Sequence, residues 1–275
     1  MLRSLFAALS VLGVLCSSSV FSGDKDKDKD KGKTPLKVTY YGQSFYTVTS
    51  SKGTVIAIDP HAIEAYHPQK VRADIILVSH EHNEHNVLPI IEGATKTFRG
   101  LTGPGLKANW VPIDEEVKDV RIKSVGTYHD TMEGMRYGKN TVFVIEVDGW
   151  RIAHLGDLGH ELTTRQLRAI GPVDVVMIPV GGIYTLNGSE AKRVVEQLKP
   201  KEYIFPMHYG TKLFEDILPI NEFLEDQPAR MVVKSDDNKL LLNKDATRPR
   251  PLIVQLHYWP KDKGDDGEKK EKDKK

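Results

Sequence analysis

Apolar residues along this chain fall into short runs, and the runs stop at residues that favour turns. Residues 38–41, 45–49, 55–59 and 75–78 are rich in Val, Ile and aromatic side chains and end beside Gly42, Ser50, Pro60 and Ser79. That combination predicts β-strands. Runs of the same kind cover 120–125, 141–147, 151–155, 173–179, 202–206 and 252–257. Three segments follow the helical period instead. They are 162–170, 189–198 with Asn187 or Ser189 as cap, and a third from Pro219, suited to a first helical turn, to Glu225. Strand-rich halves with helices interposed predict an α+β fold in which two packed sheets carry helices on their outer faces.

Both ends depart from this pattern. Arg3 followed by the apolar stretch 5–15 and by small residues predicts an export signal over 1–22, cleaved after Ser22. Residues 23–35 and 261–275 are dominated by Lys and Asp and hold too little apolar surface to offset the entropy of ordering, so they are expected to be solvated tails. One folded domain remains, over 36–260. Localisation is accordingly expected to be periplasmic or secreted.

Composition then removes several classes of function. The 39 basic and 38 acidic residues nearly cancel, leaving a formal charge of +1, so the chain has no overall field to attract nucleic acid or an anionic membrane. A small-molecule substrate fits better, and oligomeric state is not legible. Cys16 is the only cysteine and lies inside the expected signal. A mature chain without cysteine has neither disulfides nor thiolate ligands, so any metal must be held by nitrogen and oxygen.

The densest chemistry is the run Ser79-His80-Glu81-His82-Asn83-Glu84-His85-Asn86, directly after the apolar strand 75–78. In an extended backbone alternate side chains share a side, which places His80, His82 and Glu84 together, while His85 needs a turn. Imidazole and carboxylate suit zinc, and also manganese, iron or nickel. Further donors follow other strands: His129 after 120–125, Asp157 after 151–155 and His208 after 202–206. Singly, each of these is as easily a satisfied structural residue. Asp59, before Pro60, is read as the acceptor that orients a ligating histidine, with a plain turn residue as the alternative. Gly181 and Gly182 suit close backbone approach, and His61 and His67 lie in the loop after Asp59.

The order His80-x-His82-x-Glu84-His85, His129, Asp157, His208 resembles the metallo-β-lactamase superfamily. The stretches Tyr40-Tyr41-Gly42-Gln43-Ser44-Phe45, Ile58-Asp59-Pro60, His154-Leu155-Gly156-Asp157, Pro179-Val180-Gly181-Gly182 and Pro206-Met207-His208-Tyr209-Gly210-Thr211 are similar to its ascorbate-phosphate lactonase-like, metal-dependent hydrolase branch. The resemblance spans nearly all of 36–211. It implies a four-layer αββα sandwich and one or two divalent ions, zinc first among them. His80, His82 and His129 would hold one ion. Glu84, His85 and His208 would hold the second, with Asp157 bridging. It further implies a metal-bound hydroxide acting on an ester, lactone or phosphoester, with Glu84 and Asp157 as catalytic carboxylates, Glu84 orienting the water or taking its proton. His154, His160 and Tyr184 are candidate proton donors to the leaving group, with a structural hydrogen bond the favoured alternative for each.

One position departs from the family pattern, which has Asp where this chain has Glu84. The extra methylene shifts the carboxylate by about 1.5 Å, whereas metal–ligand distances hold to about 0.2 Å. A metal-binding protein of the same fold without turnover is therefore a second reading. A nuclease lacks support from the charge balance, and β-lactam hydrolysis stays open for an exported member.

Overall fold

Alternation along the strands of the larger sheet sends side chains to two different cores. The computed structural model describes residues 35–244 and 247–258. The expected signal 1–22, all but residue 35 of the segment 23–35, residues 259–260 and the tail 261–275 lie outside the described residues. In Lys139–Val147, Phe143, Ile145 and Val147 face the core between the sheets, while Val142 and Val144 face the opposite way. Val175–Pro179 repeats this, with Val175 and Met177 inward and Val176 and Ile178 outward. Such a strand is apolar on both faces because both are covered, which is why these runs lack the polar alternation of a solvated strand.

The smaller sheet has six strands in the order Lys239–Leu241, Lys37–Tyr40, Tyr46–Thr49, Val55–Ile58, Ile75–Val78 and Lys96–Arg99. The larger has eight: Asp114–Val117, Val120–Tyr128, Lys139–Val147, Trp150–His154, Val175–Pro179, Tyr203–Met207, Leu252–Gln255 and Val232–Lys234. Ten of these were expected from sequence, with ends shifted by a few residues. Helix α1 (Thr164–Ile170), helix α2 (Gly188–Leu198) and the single turn α3 (Asn221–Leu224) supply Ile170, Ala191, Val194, Leu198 and Phe223 to the core on the outer face of the larger sheet. Asn187, not Ser189, caps α2: its side chain accepts from the Glu190 backbone N–H while Glu190 reaches back, a reciprocal capping box. Among the described residues no helix is long and apolar enough to cross a membrane.

The outer face of the smaller sheet is closed by other means. Ala57 packs there with Phe45, Val71 and Ala73, under the 3-10 turn Glu64–Tyr66 and the short pair Val71–Arg72 and Ile91–Glu92. His61 belongs to this layer. Its ring lies against Phe45 and Tyr66, its Nε2–H donates to the Tyr41 and Gly42 carbonyls, each 3.1 Å away, and its Nδ1 accepts from the Ile63 N–H. Burial pushes its pKa down to about 4 against the partial opposition of those carbonyls. The folded chain therefore holds His61 neutral, and the unfolded chain takes up the proton first as pH falls. Its contribution is complete above about pH 6.5 and is lost between there and pH 4, about 2–3 kcal/mol by pH 4.5. Urea unfolding of the metal-free protein at pH 7 and 4.5 is expected to show this loss reduced by that amount in His61→Gln. Equal acid sensitivity in the two proteins would contradict the assignment.

Candidate metal centre

Strands that run in the same direction deliver their following residues to one end of the sandwich. Val55–Ile58 and Ile75–Val78 are parallel and are followed by Asp59 and by Ser79-His80. Trp150–His154, Val175–Pro179 and Tyr203–Met207 are mutually parallel, and two antiparallel steps bring Val120–Tyr128 into the same direction. His129, Asp157 and His208 leave that end of the larger sheet. Rigid strands thus set the positions, and the loops only aim the side chains.

The centre of the cluster is a single oxygen. Asp157 Oδ2 lies 3.1 Å from His85 Nε2, 3.1 Å from His129 Nε2, 3.3 Å from His208 Nε2 and 3.7 Å from His80 Nε2. His82 turns its Nδ1 to within 3.1 Å of His80 Nε2. Three groups of donors are close enough to grip an ion: His80, His82 and His129; His85, Asp157 and His208; and Asp59, His80 and His85. All but His82 are buried.

Surrounding acceptors fix which nitrogen of each ring is bare. His80 Nδ1–H donates to Ser79 Oγ at 2.9 Å, and that hydroxyl donates to Asp59 Oδ2 at 2.6 Å. His85 Nδ1–H donates to the same Asp59 oxygen at 3.1 Å. His129 Nδ1–H donates to the Tyr184 carbonyl at 3.0 Å. Each bond leaves Nε2 facing the hollow. His129 Nε2 is not aligned for a hydrogen bond with Asp157 and has no other partner, an orphaned buried nitrogen that a cation would satisfy. Asp157 is itself held by Asn140, whose Oδ1 accepts from the Asp157 backbone N–H at 3.0 Å, and by the Ser44 hydroxyl at 3.3 Å.

Charge at this spot is finely divided. Burial raises the Asp157 carboxyl, but positive charge on His208 and His85 outweighs it and holds the group well below the usual carboxylate range. Burial likewise opposes a proton on His85, yet Asp157 on one nitrogen and Asp59 on the other raise it to about 10. His80 moves the other way, driven well down by burial and by its neighbour His85. Two carboxylates flanking one imidazole attract positive charge here, as a divalent cation would supply.

Glu84 is the sequence-expected ligand that the structure leaves apart. It is exposed and belongs to none of the three groups. The strand-like alternation that would align it with His80 and His82 ends at a turn closed by His85 N–H to His82 O at 3.0 Å, which carries His85 inward and Glu84 outward. Its charge still reaches His82, whose pKa burial and His129 lower and Asp157 and Glu84 partly restore. Asp59 sits where expected, behind His80 and His85. Two of the three candidate proton donors are occupied: His154 binds the Ser44 carbonyl and the Gly156 N–H, and His160 binds the Tyr128 N–H and the Glu161 carbonyl. Tyr184 keeps an exposed side chain. Ser44, Ser79 and Asn140 were not anticipated as site residues, although Ser79 immediately precedes the histidine run.

Backbone contacts lock the ligand loops together. A Cβ at Gly159 would fall 2.3 Å from the His129 carbonyl oxygen, and one at Gly181 would fall 2.2 Å from that of His208. Neither position admits a side chain without displacing a ligand-bearing backbone. The loop after His129 is organised by Asp130, whose two oxygens accept from the backbone N–H groups of Met132, Gly134, Arg136 and Tyr137 at 2.7–3.0 Å. Burial raises its pKa, but the four donors prevail and hold it below the usual range. Asp130→Ala is expected to cost about 2–3 kcal/mol, because bonds to a charged acceptor are the strong ones. Thermal unfolding measures that loss. Proteolysis is expected to nick the loop 130–138 first, and a variant as stable and resistant as the parent would refute the role.

A cleft of about 590 Å³ is lined by Lys52, Arg72, Asp74, Lys118 and Asp119 around the opposite strand ends, and there Lys118 pairs with Asp74. It shares no residue with the metal ligands.

A family model described as a beta-lactamase superfamily domain matches residues 37–208, more than half the chain. A UPF0173 metal-dependent hydrolase of Thermococcus onnurineus is 32% identical over 197 residues, 64% of this chain and 85% of that protein. A second, from Thermococcus kodakarensis, is 31% identical over 199 residues, with the same two coverages. The crystal structure of a Thermotoga maritima protein described as a Zn-dependent hydrolase of the metallo-beta-lactamase superfamily matches with a TM-score of 0.61 and 32% identity, covering 80% of this chain and 98% of that one. With the family model, the relatives and the histidine-ringed carboxylate all in agreement, the chain belongs to the beta-lactamase superfamily and is one of its metal-dependent hydrolases of the metallo-β-lactamase fold.

Proposed function

We propose that the chain hydrolyses an ester, lactone or phosphoester of a small molecule, using one or two divalent cations, zinc first among them. The observation that carries this reading is the single Asp157 oxygen with four imidazole nitrogens within 3.7 Å. His80, His82 and His129 would hold one ion, and His85, His208 and Asp157 the other. Bound there, a divalent cation supplies Lewis acidity and acidifies water to a pKa near 7. The protein's own groups do the rest. Asp157, kept ionised, accepts from the Ser44 hydroxyl and presents its other oxygen to the bare imidazole nitrogens at the centre. Asp59 and Ser79 hold His80 and His85 in the tautomer that leaves Nε2 bare. Tyr184, beside His129 and exposed, is the group we assign to protonate the leaving oxygen. Plasma emission for metal content, followed by turnover of generic ester and phosphodiester substrates with and without chelator, tests this. Turnover that survives complete metal removal would overturn it.

The exposed position of Glu84 favours one second reading, a chain that binds metal without turning over substrate. Glu84→Asp separates the two: a second ion and activity gained together would identify a degraded enzyme. Export follows from residues 1–22 alone and remains part of the proposal, checked by N-terminal sequencing of the protein recovered from the periplasm or medium.

A further inference from the structure

Exposed apolar side chains are not scattered over this molecule. Among the described residues nine large apolar side chains are exposed, and only two of them, Val233 and Leu241, sit on edge strands. Six of the other seven lie on segments that follow His129 or His208 or that orient His129, and the seventh, Leu106, lies on the turn 105–107. Met132 and Met135, the latter 66% exposed, belong to the loop after His129 that Asp130 holds in place. Ile183, 53% exposed, and Tyr184 belong to the loop whose backbone carbonyl orients His129. Leu213 and Leu218 follow His208, and a Cβ at Gly182 would lie 3.1 Å from Leu218. Leu106 reaches the same loop as the methionines, 3.7 Å from where a Cβ of Gly138 would be.

These loops are continuous with the metal centre. The Tyr137 ring lies 5.6 Å from the His129 ring and 5.5 Å from the Tyr184 ring. Tyr137, which carries the Arg136 guanidinium 4.7 Å over its ring, thus links an ion-binding imidazole to Tyr184, and the exposed Met135 and Ile183 lie on the same two loops as these tyrosines. Exposed apolar side chains grouped on the loops around a site mark recognition, and those beside a hydrolytic centre would meet the part of the substrate next to the scissile bond.

We infer that the substrate carries an apolar acyl chain, which lies along the surface formed by Met132, Met135, Tyr137, Ile183 and Tyr184 while its ester carbonyl reaches the metal centre. The inference rests on the hydrolytic reading of that centre and narrows it to carboxylic esters and lactones of aliphatic acids. In the reaction the oxygen of water bonds to the acyl carbon and the bond from that carbon to the leaving oxygen breaks. One water proton goes to the leaving oxygen and the other leaves as the carboxylic acid ionises.

The test uses the full metal-loaded chain. For p-nitrophenyl esters from acetate to octanoate, kcat/KM is expected to rise about twofold per methylene, half of the roughly fourfold that complete burial of a methylene gives. In Met135→Ser/Ile183→Ser, with metal content unchanged, the octanoate-to-acetate ratio is expected to collapse towards one. Binding is measured separately with phosphonates, which are not turned over: octylphosphonate is expected to bind at least tenfold more tightly than methylphosphonate. Equal affinity of the two phosphonates overturns the acyl-chain inference whatever the turnover assay shows. Selective octylphosphonate binding without hydrolysis of any ester upholds the apolar surface and overturns the hydrolytic reading instead. A stable dimer in sedimentation that the double variant dissolves, with the ester ratio unmoved, assigns the surface to a second copy and overturns the inference as well.

Discussion

Asp157→Asn is expected to lower kcat/KM by about 10³-fold or more and to abolish stoichiometric binding at the His85 and His208 group. Partners standing one shell behind a metal ligand are worth about 10–100-fold, and Asp157 stands ahead of them, within 3.7 Å of four imidazoles. Asparagine keeps the shape and can still accept from the Ser44 hydroxyl, and the backbone N–H bond to Asn140 is untouched, so the fold is expected to survive. What disappears is the negative charge that supports a proton on His85 and would offset a cation among nitrogen donors. His85 should accordingly lose its raised proton affinity, leaving Asp59 as its one acidic neighbour. Metal analysis, turnover and NMR titration of the His85 ring measure these effects. A variant that keeps its ions and turns over within tenfold of the parent would show that Asp157 is peripheral.

The candidate ligands His80 and His208 stand out because each lies just past an apolar run, and apolar runs are the part of a sandwich that sequence displays best. Ile75–Val78 is entirely buried, and His80 follows by two residues; Tyr203–Met207 is entirely buried, and His208 follows at once. The strands that escaped notice include all four sheet edges: Lys239–Leu241, Lys96–Arg99, Asp114–Val117 and Val232–Lys234. An edge strand faces solvent and carries charge to resist pairing with other chains, so Asp114–Val117, with three acids in four residues, shows no apolar run to read.

Other misses have a different cause. Ser44, Ser79 and Asn140 act through hydrogen bonds between segments far apart in sequence, the longest spanning 113 residues, and serine or asparagine after a strand is unremarkable locally. The misplacement of Glu84 came from extending strand alternation past Val78 into a segment that turns. A loop of four residues can carry a ligand inward or outward without altering the pattern of residue types. The apolar surface at the metal centre was hidden for the opposite reason, since Met132 and Met135 lie on one loop and Ile183 on another, joined through the Tyr137 and Tyr184 rings, and each loop is ordinary on its own.

Asp59→Asn is expected to weaken metal binding about 10–100-fold while leaving the fold nearly intact, because it attacks the orientation of the ligands and not the ligands themselves. Asp59 is completely buried and holds the left-handed backbone conformation, φ 50°, which asparagine also tolerates. Its Oδ1 accepts from the Ser79 N–H at 2.7 Å, and its Oδ2 accepts from both the Ser79 hydroxyl and His85 Nδ1–H. An asparagine amide can replace only one of those two oxygens. With its oxygen towards the Ser79 N–H, its NH2 faces His85 Nδ1 and must donate to it. The ring proton then moves to Nε2, the nitrogen that should be bare for a cation. With the amide reversed, its NH2 meets the Ser79 N–H, a buried donor against a donor, at a cost of about 1–3 kcal/mol. Either arrangement also turns the Ser79 hydroxyl and so reaches His80 through Nδ1. NMR of the ring nitrogens should therefore show His85 changing tautomer in Asp59→Asn, accompanied by the loss of affinity. Unchanged tautomer and affinity would show that the neighbouring carboxylate does not set the ligand.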